Sequence, residues 1–379
     1  MRTRILLAGG GTGGHLYPAL NLAAALRRRA AEEPRLMYVG ARRGLEATVL
    51  PERDLPHRLL PMHPILRSRP WRNWRLAATA PAVWWGLREL FRDLEPHLVV
   101  GTGGYVSGPP LLYGATAGCA TALQEQNAAP GLVTRWMAPR VDQLHLGFPE
   151  ARGSVRPGPD TEVFAFGNPV DVEPAPDGST PPWWPEGRVL LVVGGSQGAR
   201  GLNRRLLDDL RAAGEWPGRD LWVVWVSGPA HEDEVREGVA GTPWDDRVRV
   251  VPFVEGLAAL LPRVELAVCR AGAMFVSELT AAGVPSVLVP FPGAAGGHQE
   301  ANARRLSDAG AAEVRLEERL APGELWSLVR RIAGDPERLE AMSEAARERG
   351  APDAADRIAD ELLDLAGRQA SGEGRDDEA

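Results

Sequence analysis

The sequence contains no lysine, and all 43 of its basic residues are arginine. This absence excludes chemistry that needs a lysine amine, such as Schiff-base catalysis, pyridoxal phosphate enzymes and the Walker A phosphate loop. Any phosphate that the protein binds must therefore be held by arginine, by hydroxyl groups or by backbone N–H groups.

Cysteine and long apolar runs are also scarce or missing. Cys119 and Cys269 both lie in apolar surroundings, so they offer neither a disulfide framework nor metal-ligand spacing, and a reducing compartment fits them. No Asp-x-Asp pair is present to hold a catalytic divalent ion. No run reaches the about 18 apolar residues of a membrane-spanning helix, and the opening MRTRILLAGGG is typical of a first β-strand rather than a signal peptide. These absences predict a soluble or peripheral membrane protein.

The charge of the chain is uneven. Residues 1–170 carry 20 arginines against 13 acidic residues, a net charge of +7, whereas residues 171–379 carry 23 against 37, a net charge of −14. The asymmetry predicts an anionic partner for the amino-terminal half. The length of 379 residues and the hydrophobic content of 44% suffice for two domains, each with its own core.

Three glycine-rich turns each follow a hydrophobic strand. The strands and their turns are Arg4–Ala8 with GGGTGGH at Gly9–His15, Leu98–Val100 with GTGGYVSGP at Gly101–Pro109, and Val189–Val193 with GGSQGAR at Gly194–Arg200. Gly9, Gly11 and Gly14 match the GxGxxG pattern of dinucleotide sites, but that motif alone is weak, and one dinucleotide needs only one such turn. The repetition favours several phosphates held across two Rossmann-like halves.

The stretch Val268–Ala303 repeats this organisation. A strand at Leu266–Cys269 is followed by a turn at Gly272, a helix and a second buried strand at Val284–Pro290. Glycine has no side chain to hold an anion away from the backbone N–H groups of the next helix. Glu278 lies about a turn and a half into this helix. Its carboxylate can accept two hydrogen bonds, as the hydroxyls of a ribose would donate.

Five motifs, in this order along the chain, resemble those of the MurG family. They are GGTGGH at 10–15, GTGGYVSGP at 101–109, LQEQNAAPG at 123–131, GNPV at 167–170, and CRAG-x3-VSE-L-x-AAG-x-P with HQ-x-x-NA within 269–303. The family comprises membrane-associated bacterial enzymes that convert lipid I to lipid II in peptidoglycan synthesis. The resemblance implies an α/β fold of the glycosyltransferase B type, in which two Rossmann-like domains flank a cleft and a C-terminal helix returns to the first domain.

The segment between Phe166 and Pro185 is too rich in Pro and Gly for regular structure and predicts the domain boundary. The resemblance implies that residues 1–168 form an acceptor-binding and membrane-facing domain. The C-terminal helix at 351–367 is expected to pack on this domain. Residues 169–350 form the UDP-sugar-binding domain. Residues 368–379 are expected to be a disordered tail.

The resemblance implies an inverting transfer of N-acetylglucosamine from UDP-N-acetylglucosamine to the 4-hydroxyl of the muramoyl sugar of lipid I, for cell wall biogenesis and thus cell shape and division. Such a reaction needs a base near the acceptor hydroxyl and stabilisation of the departing UDP. The helix N-termini after Gly195 and Gly272 can stabilise that diphosphate without a metal. No cofactor is expected in the site, and Mg²⁺ is expected at most to stimulate the reaction through the lipid diphosphate or the membrane.

The resemblance also implies roles for individual residues. His15, at a helix N-terminus, is expected to be the catalytic residue, either as the general base or as a ligand of the lipid diphosphate. The residues expected to bind the acceptor are His15, Tyr105, Ser107 and Asn127. Those expected to bind the donor are Thr12, Gly13, Gly14, Asn127, Ser196, Val254 through its backbone, Arg270, Ala273, Met274, Glu278 and Gln299.

Two positions depart from the family pattern. Gln124 stands where the family usually has a histidine, and Asp171 stands where GNPV is commonly followed by arginine. The roles of that histidine and that arginine therefore do not transfer to this chain. Glu125, beside Gln124, is expected to be structural.

The stretch Pro64–Pro96 combines four of the twelve tryptophans with six arginines. Its apolar residues follow helical spacing, with Pro81 expected to kink or start the helix. The stripe expected to face the core is Leu76, Ala80, Val83, Leu87, Leu90 and Leu94. A second stripe mixes large aromatic residues with arginine.

This second stripe predicts a membrane face, made of Trp74, Trp85, Arg88 and Arg92. Interfacial helices combine these residue types because indole lies at the depth of the lipid headgroups and arginine pairs with lipid phosphate. The expected location is therefore peripheral, on the cytoplasmic side of the cell membrane. The expected partners are UDP-N-acetylglucosamine, lipid I, an anionic membrane surface and proteins of cell-wall synthesis and division, with no nucleic acid.

Three alternatives share parts of the pattern. A UDP-N-acetylglucosamine 2-epimerase would share UDP recognition but would need neither the Trp/Arg stripe nor GTGGYVSGP. A catalytically silent sugar-nucleotide-binding protein would not need both donor and acceptor motifs. A glycosyltransferase that acts on another lipid acceptor is the third, because the donor motif is less selective for one enzyme than the acceptor motifs are.

Overall fold

A computed structural model describes residues 2–65, 70–174, 180–195, 198–212 and 220–372. The chain divides into two compact units. Unit 1 comprises Met1–Val170 and Asp353–Ala379, and unit 2 comprises Asp171–Pro352. Both divisions fall two residues after the boundaries predicted at 168 and 350.

Unit 1 is built on a seven-stranded sheet. Its strands are β1 (Arg4–Ala8), β2 (Arg35–Ala41), β3 (His57–Leu60), β4 (Leu98–Gly101), β5 (Ala120–Glu125), β6 (Gln143–Leu146) and β7 (Glu162–Phe164). Its helices, numbered along the whole chain, are α1 (Gly13–Arg29), α2 (Glu46–Val49), α3 (Trp74–Leu94), α4 (Gly104–Ala117), α5 (Leu132–Met137) and α13 (Ala354–Ser371). Short 3₁₀ helices lie at Leu50–Glu52, Pro70–Asn73 and Pro149–Ser154.

Unit 2 is built on a six-stranded sheet. Its strands are β8 (Arg188–Val193), β9 (Leu221–Val226), β10 (Val248–Val251), β11 (Leu266–Cys269), β12 (Ser286–Leu288) and β13 (Ala312–Val314). Its helices are α6 (Arg200–Ala212), α7 (Glu232–Val239), α8 (Leu257–Leu260), α9 (Ala273–Ala281), α10 (His298–Asp308), α11 (Glu324–Ala333) and α12 (Pro336–Arg349). Short 3₁₀ helices lie at Asp245–Arg247, Leu261–Arg263, Ala295–Gly297 and Glu317–Arg319.

Both sheets are parallel throughout and share one strand order. The order is β3-β2-β1-β4-β5-β6-β7 in unit 1 and β10-β9-β8-β11-β12-β13 in unit 2. Central parallel strands are covered on both faces, which explains their nearly continuous apolar sequences. The order reverses between β1 and β4 and again between β8 and β11, and α/β sheets bind ligands at such reversals. Two Rossmann-like units of this kind confirm the predicted fold class.

The last helix, α13, belongs to unit 1, as predicted. Its apolar side contributes Ile358, Leu362 and Leu365 to the core that α1 and β1 also line. Two ion pairs fix its position on α1: Arg28 pairs with Asp356 at 2.6 Å, and Arg29 binds both carboxylate oxygens of Asp360.

The predicted start of the disordered tail is wrong. α13 continues to Ser371, because the Gln369 side chain donates to the Gly118 carbonyl oxygen at 3.0 Å and anchors the last turn. Residues 373–379 of the predicted tail lie outside the described residues.

Helix α3 differs from its prediction in the first half. Pro81 lies inside a continuous helix and neither starts nor ends it. Val83 and Leu87 begin the buried stripe, but Leu76 is half-buried and Ala80 is exposed. The first turns of α3 therefore present little surface to the core. In the described part of the chain, no helix is long and apolar enough to cross a membrane.

Candidate active site

Thr102 and His15 join the turns that follow β1 and β4 in unit 1. The fully buried Thr102 hydroxyl donates to the His15 carbonyl oxygen at 2.6 Å. The Thr102 carbonyl oxygen in turn lies 3.2 Å from His15 Nδ1. A Cβ on Gly9 would lie 2.0 Å from Thr102 Oγ1, so this approach requires glycine. The structure thus brings two of the predicted glycine-rich turns together around the predicted catalytic residue.

The imidazole of His15 lies against Gly103 and Gly104. A Cβ on either glycine would come to 3.0 Å from the ring. Both residues also have positive φ values, +85° and +70°, which glycine adopts without strain. His15 Nδ1 lies 3.3 Å from a third group, Oε1 of Gln126. The GTGG turn therefore holds the ring in one place.

Glu46, which belongs to none of the sequence motifs, supports the turn after β1. Its carboxylate is fully buried and accepts hydrogen bonds from the N–H groups of Gly11 and Ala41, both at 2.9 Å. A Cβ on Gly10 or on Gly44 would come within 2.5 Å of this carboxylate. Two charge-assisted hydrogen bonds thus fix the backbone of the glycine loop. The sequence offers only a weak signal for this role, namely a single glutamate near glycines, after a buried strand.

The predicted residues of the first turn lie at the N-terminus of α1. Thr12 and Gly14 are exposed, Gly13 is half-buried, and α1 begins at Gly13. A Cβ on Gly11 would lie 2.8 Å from the ring of Tyr105, so this ring covers the loop. Burial, with the nearby negative charge of Glu46 as a second cause, raises the pKa of the Tyr105 hydroxyl.

Ser107 is placed differently from the other residues predicted to bind the acceptor. Its side chain is fully buried in α4, and its hydroxyl donates to the Gly104 carbonyl oxygen at 3.2 Å. Ser107 therefore shapes the first turn of α4 and presents no exposed atom in this structure.

The loop after β5 is organised by Glu125, in line with the structural role expected for it. Its buried carboxylate accepts from the backbone N–H and the side-chain amide of Asn127, from the N–H of Gly131 and from the hydroxyl of Thr134. These bonds fix Asn127 next to the strand end. Gln124 is buried and lies 3.4 Å from Asn168 Oδ1, so it belongs to the interior of unit 1.

In unit 2, the turns after β8 and β11 lie at the reversal of strand order. Ser196, in the first turn, lies outside the described residues. The second turn leads at Gly272 into α9, and a Cβ on Gly272 would meet no atom within 4 Å. Ala273 and Met274 form the first turn of α9, with buried side chains. Their backbone N–H groups are those that a helix N-terminus directs toward an anion.

Glu278 lies on α9 and is half-buried. Burial raises the pKa of its carboxyl group to about 7. Perturbed carboxyl groups of this kind are concentrated at functional sites, because a ligand can compensate for the cost of burying the charge. The hydroxyls of a ribose would do so by donating hydrogen bonds to it.

Arg270 follows β11 and is nearly buried. Its guanidinium pairs with Glu317 at 2.5 Å and donates to the carbonyl oxygens of Val289 and Pro290 at 3.0 and 3.3 Å. It also lies over the ring of Phe291, 5.6 Å from the centroid. In this structure Arg270 therefore ties the ends of β11 and β12 to the turn that contains Glu317. Its contact with a donor stays a prediction.

The HQ-x-x-NA motif begins α10 and contacts the same two strand ends. Gln299 accepts a hydrogen bond from the Phe291 N–H at 2.9 Å, and the fully buried Asn302 donates to the Ala271 carbonyl oxygen at 3.2 Å. Val254, which follows β10, has a buried side chain, which leaves its backbone as the group that could read a base.

Known glycosyltransferases match the sequence of both units. The glycosyltransferase family 28 N-terminal domain matches residues 5–146, and the glycosyltransferase family 28 C-terminal domain matches residues 189–358. The UDP-N-acetylglucosamine--N-acetylmuramyl-(pentapeptide) pyrophosphoryl-undecaprenol N-acetylglucosamine transferase of Desulforudis audaxviator is 37% identical, over 96% of this chain and 99% of its own. The chain belongs to the MurG family. This result confirms the resemblance, and with it a UDP-N-acetylglucosamine-dependent glycosyltransferase.

Solved structures of other proteins share the fold of this chain. The crystal structure of Acinetobacter baumannii MurG superposes with a TM-score of 0.72 at 26% identity, covering 96% of this chain and 99% of that one. A UDP-N-acetylglucosamine 2-epimerase superposes with a TM-score of 0.67 at 17% identity, covering 97% and 96%. The second likeness concerns the fold alone.

The predicted site residues of this MurG-family chain are divided between the two units. His15, Tyr105, Ser107 and Asn127 lie in unit 1, whereas Val254, Arg270, Glu278 and Gln299 lie in unit 2. Unit 1 thus contains the predicted catalytic histidine, and unit 2 contains most of the residues predicted to bind the donor; these roles stay predictions. Among the described residues, no group of three or more His, Cys, Asp or Glu side chains could hold a metal ion.

Proposed function

We propose that this protein transfers N-acetylglucosamine from UDP-N-acetylglucosamine to the 4-hydroxyl of the N-acetylmuramoyl sugar of lipid I, with inversion, and so makes lipid II for peptidoglycan synthesis. The observation that carries the proposal is the 37% identity, over nearly the whole chain, to a transferase whose name states these two substrates. The turns at both reversals of strand order support it, because they contain the donor and acceptor motifs.

In this proposal His15 is the general base. It removes the proton of the 4-hydroxyl as that oxygen attacks the anomeric carbon of the donor sugar, and the bond from this carbon to the UDP oxygen breaks. General bases of this kind contribute about 10²–10⁴ to the rate. Glu278 accepts hydrogen bonds from the ribose hydroxyls, and the N-terminus of α9 stabilises the negative charge of the departing diphosphate.

The proposal includes a donor site that works without a metal. Helix N-termini supply positive electrostatic potential and N–H donors to a leaving diphosphate, which is the task a divalent ion performs in other glycosyltransferases. Transfer is expected to persist in excess EDTA with a water-soluble lipid I analogue. Mg²⁺ is expected to stimulate only with a lipid acceptor in vesicles. Abolition of transfer to the soluble analogue by EDTA would contradict a metal-free site.

The decisive experiment measures radiolabelled sugar transfer from UDP-N-acetylglucosamine to a lipid I analogue. Lipid II formation by the wild type is the expected result. Formation of UDP-N-acetylmannosamine in the absence of acceptor would instead support the epimerase alternative. Transfer to other polyprenyl diphosphate sugars but not to lipid I would support another lipid acceptor.

We also propose that the membrane face of α3 docks to an anionic membrane surface. Trp74 and Trp85 are 65% and 60% exposed, values that a soluble surface rarely leaves to tryptophan. Arg88 lies 5.5 Å from the centre of the Trp85 ring, so cation and indole occupy the same patch. Arg92 is exposed one turn further along. Contacts with proteins of cell-wall synthesis and division stay a prediction.

Vesicle co-sedimentation tests this docking. Replacing Trp74, Trp85, Arg88 and Arg92 together by alanine or glutamine is expected to abolish binding to phosphatidylglycerol vesicles. A control variant changes Trp183, Arg304 and Arg331, exposed residues of unit 2, and is expected to bind like the wild type. Equal binding by all three proteins would disprove the proposal.

A further inference from the structure

The hydrogen bonds of His15 determine which of its ring nitrogens carries the proton. Nδ1 lies 3.2 Å from the carbonyl oxygen of Thr102, a group that can only accept. It also lies 3.3 Å from Oε1 of Gln126. If both contacts are to acceptors, Nδ1 must be the protonated nitrogen, and the lone pair of the neutral ring is then on Nε2.

The orientation of the Gln126 amide follows from its own partners. The side chain is 1% exposed, and its Nε2 donates to the carbonyl oxygen of Gln124 at 3.2 Å. Because a carbonyl cannot donate, the NH₂ group must point there, and Oε1 points at His15. The backbone of Gln126 is itself fixed, because the buried side chain of Asn168 donates to its carbonyl oxygen at 3.0 Å.

We propose that Gln126 is a positioning residue that, together with the Thr102 carbonyl oxygen, holds His15 in the Nδ1–H tautomer and so places the lone pair on Nε2, the nitrogen that takes the acceptor proton. The inference rests on the proposed function for its catalytic consequence. Both acceptor oxygens also remain in contact with Nδ1–H when the ring becomes charged, and they stabilise that charge. An amide does this without placing a second titratable group beside the base.

Unit 1 contains a second pair of a buried glutamine and a histidine, which can serve as a control. It distinguishes an effect of positioning the base from an effect of removing a buried amide. Gln143 on β6 is fully buried, and its Oε1 lies 3.2 Å from Nε2 of His145, which is also buried. Burial lowers the pKa of His145 to about 3, so this histidine stays neutral. Gln143→Met and Gln126→Met therefore remove the same amide from a similar environment, beside a structural histidine in one case and the proposed base in the other.

Steady-state kinetics with these two variants test the proposal. Gln126→Met is expected to lower kcat about 10-fold to 100-fold, within the contribution of a general base, with the KM for UDP-N-acetylglucosamine changed less than about twofold. Gln143→Met is expected to lower the midpoint of thermal unfolding and to keep kcat within about twofold of the wild type. Equal loss of kcat in both variants, or no loss in Gln126→Met, would overturn the proposal.

A conservative variant and a double variant sharpen the result. Gln126→Glu keeps an oxygen within reach of Nδ1–H, and its neutral carboxyl form, which burial favours, can still donate to the Gln124 carbonyl oxygen, so this variant is expected to retain more activity than Gln126→Met. In a His15→Ala background, Gln126→Met is expected to cause no further loss of kcat, because the residue acts through the histidine. A further loss as large as in the wild-type background would contradict positioning.

A spectroscopic measurement tests the inference without the reaction. With ¹⁵N-labelled histidine, and with the His15 signals identified by their loss in His15→Ala, the neutral ring of the wild type is expected to be protonated at Nδ1. Gln126→Met is expected to increase the population protonated at Nε2, and an unchanged tautomer would refute the role of Gln126. If the wild type does not transfer sugar to lipid I, the proposed function fails, but the tautomer measurement still decides this inference.

Discussion

The two units share one strand order, but the buried charge beside the reversal of that order has the opposite sign in each. In unit 1 the buried charge is a carboxylate, Glu46, which holds the glycine loop through backbone N–H groups, while the half-buried His15 is the proposed general base. In unit 2 the buried charge is a guanidinium, Arg270, which ties strand ends together, while the half-buried Glu278 is the proposed ligand of the donor.

The comparison teaches that each reversal of strand order combines two groups. One is a buried charge held by hydrogen bonds or an ion pair, called here a locked charge, and the other is a half-buried group with a proposed role in catalysis or binding. A loop that must approach a phosphate closely cannot contain bulky side chains, so a buried charge behind it supplies the rigidity that side-chain packing would otherwise give. The second group can then be tuned by its environment. Five predictions test this division, from the largest expected effect to the smallest.

Replacing His15 by alanine should have the largest effect. Turnover is expected to fall about 10²-fold to 10⁴-fold, since the general base is removed. The dissociation constant of UDP-N-acetylglucosamine, measured by calorimetry, should change little, because Glu278 and the α9 N-terminus are untouched. His145→Gln is the control, with turnover per folded molecule unchanged. A comparable loss of donor affinity in His15→Ala would break the comparison between the units.

Replacing Arg270 by methionine should destabilise unit 2. It leaves Glu317 without its cation in a mostly buried position, and breaking a buried ion pair in this way costs about 3 kcal/mol or more. Urea unfolding should show this loss, and the added change Glu317→Leu should recover part of it. Arg304→Met, which breaks an exposed pair with Glu300, should cost far less stability than Arg270→Met. Equal effects of the two arginine variants would show that Arg270 is not a locked charge.

Replacing Glu278 by alanine should weaken donor binding. The loss of a charged acceptor of two hydroxyl hydrogen bonds corresponds to about 1.5–3 kcal/mol, or roughly 10-fold to 100-fold in the KM for UDP-N-acetylglucosamine. The kcat at saturating donor should change less. Glu344→Ala, at an exposed position of α12, is the control with unchanged KM. A collapse of kcat with normal KM would place Glu278 in the chemistry rather than in donor binding.

Donor affinity should depend on pH through Glu278. Its pKa of about 7 lies above the ordinary value of 4.5, so the carboxyl group is protonated below pH 7 and loses one acceptor. Affinity should thus rise with pH through 7 and be about 10-fold higher at pH 8 than at pH 6. Calorimetry with Glu278→Gln should give a flat profile, and a profile like that of the wild type would assign the dependence to another group.

The same shift makes a prediction about stability. The raised pKa means that the folded state binds more protons than the unfolded state between pH 4.5 and 7, so the contribution of Glu278 to stability falls as pH rises through this window. Glu278→Gln should therefore unfold at higher urea concentration than the wild type at pH 8, and at a similar concentration at pH 4. A stabilised variant with weaker donor binding would show that the carboxylate is kept for function.

Sequence patterns predicted the elements more reliably than the partners of side chains. The bounds of β1 and β11 agree with the sequence, because a hydrophobic run that ends near glycine is a local signal. The core stripe of α3 was wrong at Leu76 and Ala80, since spacing does not show where the neighbouring elements end. The roles of Glu46 and Arg270 were missed because their partners are fixed by folding: Glu317 is distant in sequence, and Glu46 points inward.

The position of α13 in unit 1 has a consequence for synthesis. Ile358, Leu362 and Leu365 complete a core that Leu16, Leu22 and Ile5 begin, yet all of unit 2 is translated between them. Unit 2 is continuous in the chain and can fold as soon as it leaves the ribosome, because domains fold as units during synthesis. Until α13 is made, the part of this core that α13 covers stays exposed. The part of the protein made first is therefore finished last.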